Sequence, residues 1–476
     1  MWVQVDRTIS KTLTQQVYEQ LRQLILNGDL KTNEKLPSTR ELANLLGVSR
    51  NICLDVYDQL AAEGYLIIRP KSGSFVAPGS LFQNNKVNQQ INNKEQFSED
   101  PQDMIDFKAA TPAMDHFPRK IWGRLAKDVC EGSPETIFGY QSAEGILSLR
   151  EEISRYIFRT RGVRSEPHQV IITSGATQAL FLLTELLIQN NKLVAVEDPV
   201  TDEMRTIFSY AGASLCPIPV DDKGINPDGL SQENPPAFIF ILPSHQFPMG
   251  VTLTIQRRIQ LIHYARQHNC YIVEDDYDSE FTYEGTPVHS VQGLDPEKVI
   301  YVGTFSKILS PGLRIGYVVL PQDLIEPFKK MKWYTDRHHS SLEQLILTRF
   351  MNEGHFDRHI RKMKRIYKQR REALVNSLKS QFPDCVILGH AAGMHLVVEI
   401  PQVDYHQSLM NWIQKYGVKI YSVDQYSLVK NTHRNKVVLG YGSLSIEKIE
   451  EGVRRLKEAI DGYTEYTTKR ESTTER

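Results

Sequence analysis

Gly303-Thr-Phe-Ser-Lys-Ile-Leu-Ser-Pro-Gly-Leu-Arg-Ile-Gly316 is the stretch on which the reading of this chain turns. It sets one lysine, Lys307, on a loop of small and hydroxyl residues just after the apolar run Val299-Ile-Tyr-Val. A lysine withdrawn from water gives up its proton more readily and becomes a nucleophilic amine. Condensation with an aldehyde cofactor needs such an amine. Thr304 and Ser306 offer hydroxyl donors, and Arg314 offers a rigid fork that is always charged, as a phosphate dianion requires. A lone lysine is ordinarily a solvated surface charge, but the whole run points to a pyridoxal 5'-phosphate (PLP) site.

Outward from this loop, the unbroken apolar runs Val170-Ile-Ile-Thr, Leu193-Val-Ala-Val, Phe238-Ile-Phe-Ile-Leu and Tyr271-Ile-Val-Glu join Val299-Ile-Tyr-Val as candidate strands. Such runs suit a sheet buried on both faces in an α/β fold. Open α/β sheets bind ligands at the carboxyl ends of their strands, which makes the residues following each run the ones of interest. After Thr173, Ser174 and the small residues Gly175, Ala176 and Thr177 lead into a helix whose N–H groups suit a phosphate. After Glu274, Asp275 is placed to pair with the pyridinium nitrogen of PLP, and Tyr277 to donate to the ring oxygen. A solvated acidic loop or a hard-metal site are the ordinary alternatives for such a cluster; Lys307, after the next strand, favours PLP. After Leu242, the segment Pro243-Ser-His-Gln-Phe-Pro-Met-Gly250 offers His245 or Gln246 to the same ligand.

Residues 1–78 carry a different pattern. Val17, Leu21, Leu24 and Ile25 recur at helical spacing between Thr12 and a stop at Gly28. Ser38 is a candidate N-cap for a helix burying Leu42, Ala43 and Leu46, Gly47 makes a turn, and Ser49 caps a second helix to about Glu63. This is helix-turn-helix grammar. The alternating segment from Tyr65 to Val76, turning at Ser72-Gly73, predicts a two-stranded wing. Arg40 and Arg50 would contact phosphate or base edges of double-stranded operator DNA, with Ser38, Ser49 and Asn51 assisting by hydrogen bonds. Residues 79–104, rich in Asn and Gln and poor in apolar residues, predict a flexible linker. The cofactor domain is expected over 105–465, ending in a helix with Ile446, Ile449, Val453, Leu456 and Ile460 on one stripe, and 466–476 is expected to be a disordered tail.

At 476 residues, the chain has room for two or more domains. A net charge of −1 excludes bulk basicity as the basis of nucleic-acid binding, so any DNA contact must come from a local surface. The five cysteines are scattered without CxxC spacing, which supports neither a disulfide framework nor a zinc site. With no signal-peptide core at the amino end and no apolar run of membrane-spanning length, a cytoplasmic protein without membrane contact is expected.

The motif Leu36-Pro-Ser-Thr-Arg-Glu-Leu-Ala with Leu46-Gly-Val-Ser-Arg-Asn51 and Leu60-Ala-Ala-Glu-Gly-Tyr-Leu66 resembles the winged helix of the GntR family. Ile52 and Cys53 depart mildly from its usual Thr and Val. The lysine loop resembles that of fold-type I PLP enzymes, the aminotransferase fold. Together with His245-Gln-Phe-Pro-Met-Gly250 and Glu274-Asp-Asp-Tyr-Asp-Ser-Glu-Phe281, nearly the whole chain resembles the GabR-like MocR subfamily of GntR regulators. The resemblance implies PLP on Lys307 and transcription regulation by a small-molecule effector: PLP, an amine or an amino acid. It also implies a domain-swapped homodimer, in which Tyr140 reaches the PLP phosphate of the partner subunit.

Two departures bear on chemistry. Aminotransferases hold the substrate carboxylate with a late arginine, and that position falls on Val438; the arginine of GABA-responsive members falls on Ser443. Val200-Thr-Asp-Glu203 lacks both the usual aromatic that stacks on the cofactor ring and a nearby arginine. Arg205 and Arg434 stand near enough in sequence to fill the missing role if the correspondence is displaced. A regulator without efficient turnover is therefore expected, with a working aminotransferase bearing a DNA-binding domain as the alternative.

Overall fold

A computed structural model describes residues 3–80 and 104–474, with side chains to 467. The chain divides into two compact units, Met1–Ser98 and Glu99–Arg476. The expected linker lies almost wholly outside the described residues.

The smaller unit has three helices and a hairpin. Leu13–Asn27 is capped by the Thr12 hydroxyl and ended by Gly28 at φ 79°. Thr39–Leu46 begins with a full capping box, in which Ser38 Oγ accepts from Glu41 N and Glu41 Oε2 accepts from Ser38 N at 2.8 Å. Gly47, at φ 64°, turns the chain into Arg50–Ala62, which is capped by Ser49. Leu66–Arg69 and Gly73–Val76 pair antiparallel as the wing. Its turn is centred a residue earlier than expected, on Lys71 at φ 60°. Val17, Leu21, Ile25, Leu42, Ala43, Leu46, Val56 and Leu60 close one apolar core.

The larger unit is built on an eight-stranded sheet. In spatial order its strands are Val170–Thr173, Gly316–Val319, Val299–Thr304, Tyr271–Asp276, Phe238–Ile241, Leu193–Asp198, Ser214–Asp221 and Gly224–Ile225. All five expected strands are present. Val299–Thr304 pairs parallel with Tyr271–Asp276 and antiparallel with Gly316–Val319. The lysine loop thus leaves the sheet on one strand and re-enters it on the next. Asp275 and Asp276 belong to the strand itself, where the sequence suggested a loop after Glu274.

The C-terminal part adds an antiparallel sheet of Val386–Leu388, His395–Glu399, Lys436–Gly440 and Tyr421–Ser422. The long helices His355–Gln381 and Ile446–Thr474 accompany it. The last helix corrects the expectation of a disordered tail from 466. No glycine or proline interrupts it after Gly462, and Thr464 and Thr467 bond back to the carbonyls of Ile460 and Tyr463. Among the described residues, no helix is long and apolar enough to cross a membrane.

Candidate functional site

Lys307 lies between the strands Val299–Thr304 and Gly316–Val319 and is half-buried. Burial lowers its ammonium below the usual lysine range, while Glu203, Asp275 and Asp278 pull the other way. Thr304 and Ser306 are buried beside it, and Thr304 Oγ1 accepts from Ser306 N at 3.1 Å. That bond folds the loop back on the strand end.

Asp275 is buried at the end of its strand, and its Oδ1 has no hydrogen-bond partner. Burial, with Asp276 and Glu203 adding, pushes its carboxyl up to about 7; Lys307 opposes this. An orphaned carboxylate oxygen costs free energy unless a donor meets it, so this oxygen is open to a donor from a ligand. The strand end is itself fixed from below: Asp276 Oδ2 accepts from Arg161 Nε at 2.7 Å and from the Tyr301 hydroxyl at 2.6 Å, all buried. Tyr277 Oη lies 3.2 Å from both Nδ1 and the carbonyl oxygen of His245. His245 Nδ1 in turn lies 3.1 Å from Asp278 Oδ2. The structure thus joins His245 to Tyr277, and it turns Gln246 away, with Nε2 donating to the carbonyls of Pro199 and Phe247.

Gly175 precedes the helix Ala176–Leu187, whose first turn has no side-chain cap. Its N–H groups, with those of Ala176 and Thr177, form an end of positive potential available to an anion. Arg314 lies over the same turn. Its Nη2 donates to the Ser174 carbonyl at 2.7 Å and is 3.0 Å from where a β-carbon on Gly175 would sit. The close approach extends to Gly316, where a β-carbon would stand 2.8 Å from Gly175. Helix end and Arg314 are therefore brought together.

Glu203 is the residue that sequence reading passed over. It opens the helix Asp202–Tyr210, accepts from Thr177 Oγ1 at 3.1 Å, and bears electrostatically on both Asp275 and Lys307. Lys108 also bears on Lys307, as a like charge. Tyr140 is 79% exposed, with Arg337 over its ring at 5.6 Å, so in one chain it points away from the packed interior.

The two positions expected for a carboxylate-binding arginine, Val438 and Ser443, carry no guanidinium. Val438 is fully buried in a small cluster with Val397 and Val423, and Ser443 is exposed. Arg205 is committed to Asp202 and to the Gln425 carbonyl at 3.0 Å, and Arg434 to Asn431 at 2.7 Å and Asp404 at 3.7 Å. Both arginines thus have protein partners, although Arg205 Nε has none of its own.

In the smaller unit, Arg40 stands in the first turn of Thr39–Leu46, and Arg50 and Asn51 in the first turn of Arg50–Ala62; all three are exposed. The hydroxyls of Ser38 and Ser49 serve as helix caps. The wing adds exposed Arg69 and Lys71, which the sequence reading did not single out.

Comparison with known proteins agrees with both halves. Residues 13–76 match the family of bacterial regulatory proteins, gntR family, and residues 102–456 match aminotransferase class I and II. The chain is 34% identical over 471 residues to the probable rhizopine catabolism regulatory protein MocR of Rhizobium meliloti, covering 96% of this chain and 95% of that one. It is 28% identical over 446 residues to the HTH-type pyridoxine biosynthesis transcriptional regulator PdxR of Corynebacterium glutamicum, covering 94% and 95%. Kynurenine aminotransferase of Pyrococcus horikoshii superposes with a TM-score of 0.71 at 27% identity, covering 76% of this chain and 92% of that one. A winged helix joined to a fold of this class, with end-to-end likeness to regulators so built, leaves one conclusion: the chain belongs to the MocR-type transcriptional regulators of the GntR family, with a larger domain of the aminotransferase class I and II family.

Proposed function

We propose that this regulator holds PLP on Lys307, and that the state of this site sets the affinity of its winged helix for operator DNA. The observation that carries the reading is the buried, unpartnered Oδ1 of Asp275, which fits the ring N–H of a pyridinium. The uncapped helix end at Gly175 and the Arg314 fork fit the phosphate, and Lys307 fits the aldehyde. When bound, PLP supplies an electrophilic carbon for amines and an electron-withdrawing ring. Asp275 would hold the ring nitrogen protonated, Tyr277 would hold the ring oxygen, and Arg314 would neutralise the phosphate.

An α-amino acid entering such a site meets no charge-assisted fork for its carboxylate, since Val438 is apolar and Arg205 and Arg434 are occupied. Loose holding disfavours a full transamination cycle and favours sensing. PLP itself, with Lys307 occupancy as the sensed variable, is the first effector, an amine the second, and an amino acid the third. The likeness to PdxR supports that order. The active form is a cytoplasmic homodimer, to which exposed Tyr140 would contribute by reaching the partner's phosphate site.

The test is direct: operator affinity of the full chain, apo and PLP-loaded, on the DNA upstream of its own gene. Different affinities are expected without any amino acid. Equal affinities, or brisk turnover of a common amino acid with a keto acid, would favour the aminotransferase reading, which the fold and intact Asp275, Tyr277 and Lys307 also serve.

A further inference from the structure

Beside the helix end at Gly175 lies a partly buried network that the cofactor reading does not use. Lys332, on the helix Ile325–Thr335, is fully buried, and its Nζ donates to Asp336 Oδ1 at 2.6 Å. The other carboxylate oxygen, Asp336 Oδ2, accepts from Gln178 Nε2 at 2.7 Å and from Ser174 Oγ at 3.4 Å. The Gln178 carboxamide then turns its oxygen to Ser174 N, at 2.8 Å. Ser174 is the residue whose carbonyl receives Arg314. On the far side, His339 Nδ1 lies 3.4 Å from Ser174 Oγ, and the His339 carbonyl accepts from Gln344 Nε2 at 2.9 Å. Buried ion pairs seldom add net stability, because desolvation offsets their attraction. What this pair does have is direction: Lys332 takes Oδ1 of Asp336, which presents Oδ2 to Gln178 Nε2 and so turns the Gln178 carbonyl oxygen to Ser174 N.

We propose that Asp336, oriented by Lys332, is a positioning residue for the phosphate group of the cofactor. Acting through Gln178, it fixes the peptide plane at Ser174. Gln178 is the third residue of its helix and reaches back past the N-cap, as in a capping box displaced by one residue. Ser174 N is thereby satisfied, and the N–H groups of Gly175, Ala176 and Thr177 stay uncapped for the ligand. The Ser174 carbonyl, in the next peptide unit of the same turn, accepts from Arg314 Nη2, so Arg314 already lies over the turn before the phosphate arrives. Preorganisation of this kind is expressed as affinity for the group it serves.

The inference rests on the PLP reading above, so the experiment separates the two. Full-length wild type, Asp336→Asn and Gln178→Met are titrated with PLP and with pyridoxal, which lacks the phosphate, by visible absorption. Inorganic phosphate is then added as a competitor. Gln178→Met leaves the Lys332–Asp336 pair intact and so covers a folding failure of the first variant. The expected result is PLP affinity lower by about tenfold, the equivalent of one lost bond of about 1.4 kcal/mol. Pyridoxal affinity should stay within about twofold, and competition by phosphate should weaken in parallel. Equal losses for PLP and pyridoxal, or no loss of either, would overturn the positioning role. A wild type that binds neither ligand would instead overturn the PLP reading, and this inference with it.

Discussion

Replacing Asp275 by asparagine tests the cofactor site without any cofactor. Its carboxyl is moved by burial from 3.8 to about 7, so in the folded apo-protein its ionised form is disfavoured. The sign follows from linkage: a carboxyl raised on folding costs nothing below its unfolded value. Its cost accumulates as pH rises from about 4 to 7 and is constant above that. At about 1.4 kcal/mol for each tenfold change in proton affinity, the full cost is about 4 kcal/mol. Between pH 5 and pH 8 it grows by about 2–3 kcal/mol. The apo Asp275→Asn protein should therefore gain on wild type by that amount between the two pH values. Any constant penalty of the buried amide cancels in the comparison. Urea unfolding followed through Trp122, Trp333 and Trp412, all in the larger unit, measures the gap. Saturating PLP should reverse the order at pH 8, because a protonated ring nitrogen gives the carboxylate its partner. A gap that stays flat from pH 5 to 8 would refute the claim that the carboxyl is held unpartnered.

Lys307→Ala should abolish the visible absorption of lysine-bound PLP; persistence of that band after dialysis would remove Lys307 from its role. Arg40→Ala and Arg50→Ala should each weaken DNA binding. A flattened salt dependence would mark a phosphate contact, and a loss of about 1–3 kcal/mol confined to one base position would mark base readout; unchanged binding by both would move the recognition surface to the wing. Ser38→Ala removes the hydroxyl of the capping box and should destabilise the smaller unit by about 1 kcal/mol, read from its melting curve. A change of DNA affinity without a change of stability would show that Ser38 acts on DNA rather than as a cap.

The parts that were legible in sequence share a physical reason. The five parallel strands are buried on both faces, so each shows as an unbroken apolar run, and the cofactor groups follow from residue type at the strand ends. Ser214–Asp221 escaped because Pro217 and Pro219 interrupt it; it sits near the sheet edge, paired along one side with Leu193–Asp198 and on the other only with Gly224–Ile225. Gly316–Val319 was hidden because its first residue closes the lysine loop. Lys332, Asp336 and Gln178 could not be read at all. Each looks like an ordinary polar helix residue, and only the packing of distant helices makes them one network. Glu203 was passed over because its segment was read only for what it lacks, although it is itself a charge set against Lys307.

The close approaches of Gly175 and Gly316, and of Gly303 to the Tyr317 ring, have an evolutionary consequence. The form of the cleft is set by residues without side chains, which admit no substitution where a β-carbon would collide with a neighbour. Much of its reactivity is set by other residues, Lys307 and Asp275 among them. The two can drift independently. A lineage that exchanges an arginine for Val438 loses its grip on a carboxylate but keeps the receptacle intact. An enzyme can in this way be retired into a sensor by a few point changes, with no passage through an unfolded ancestor.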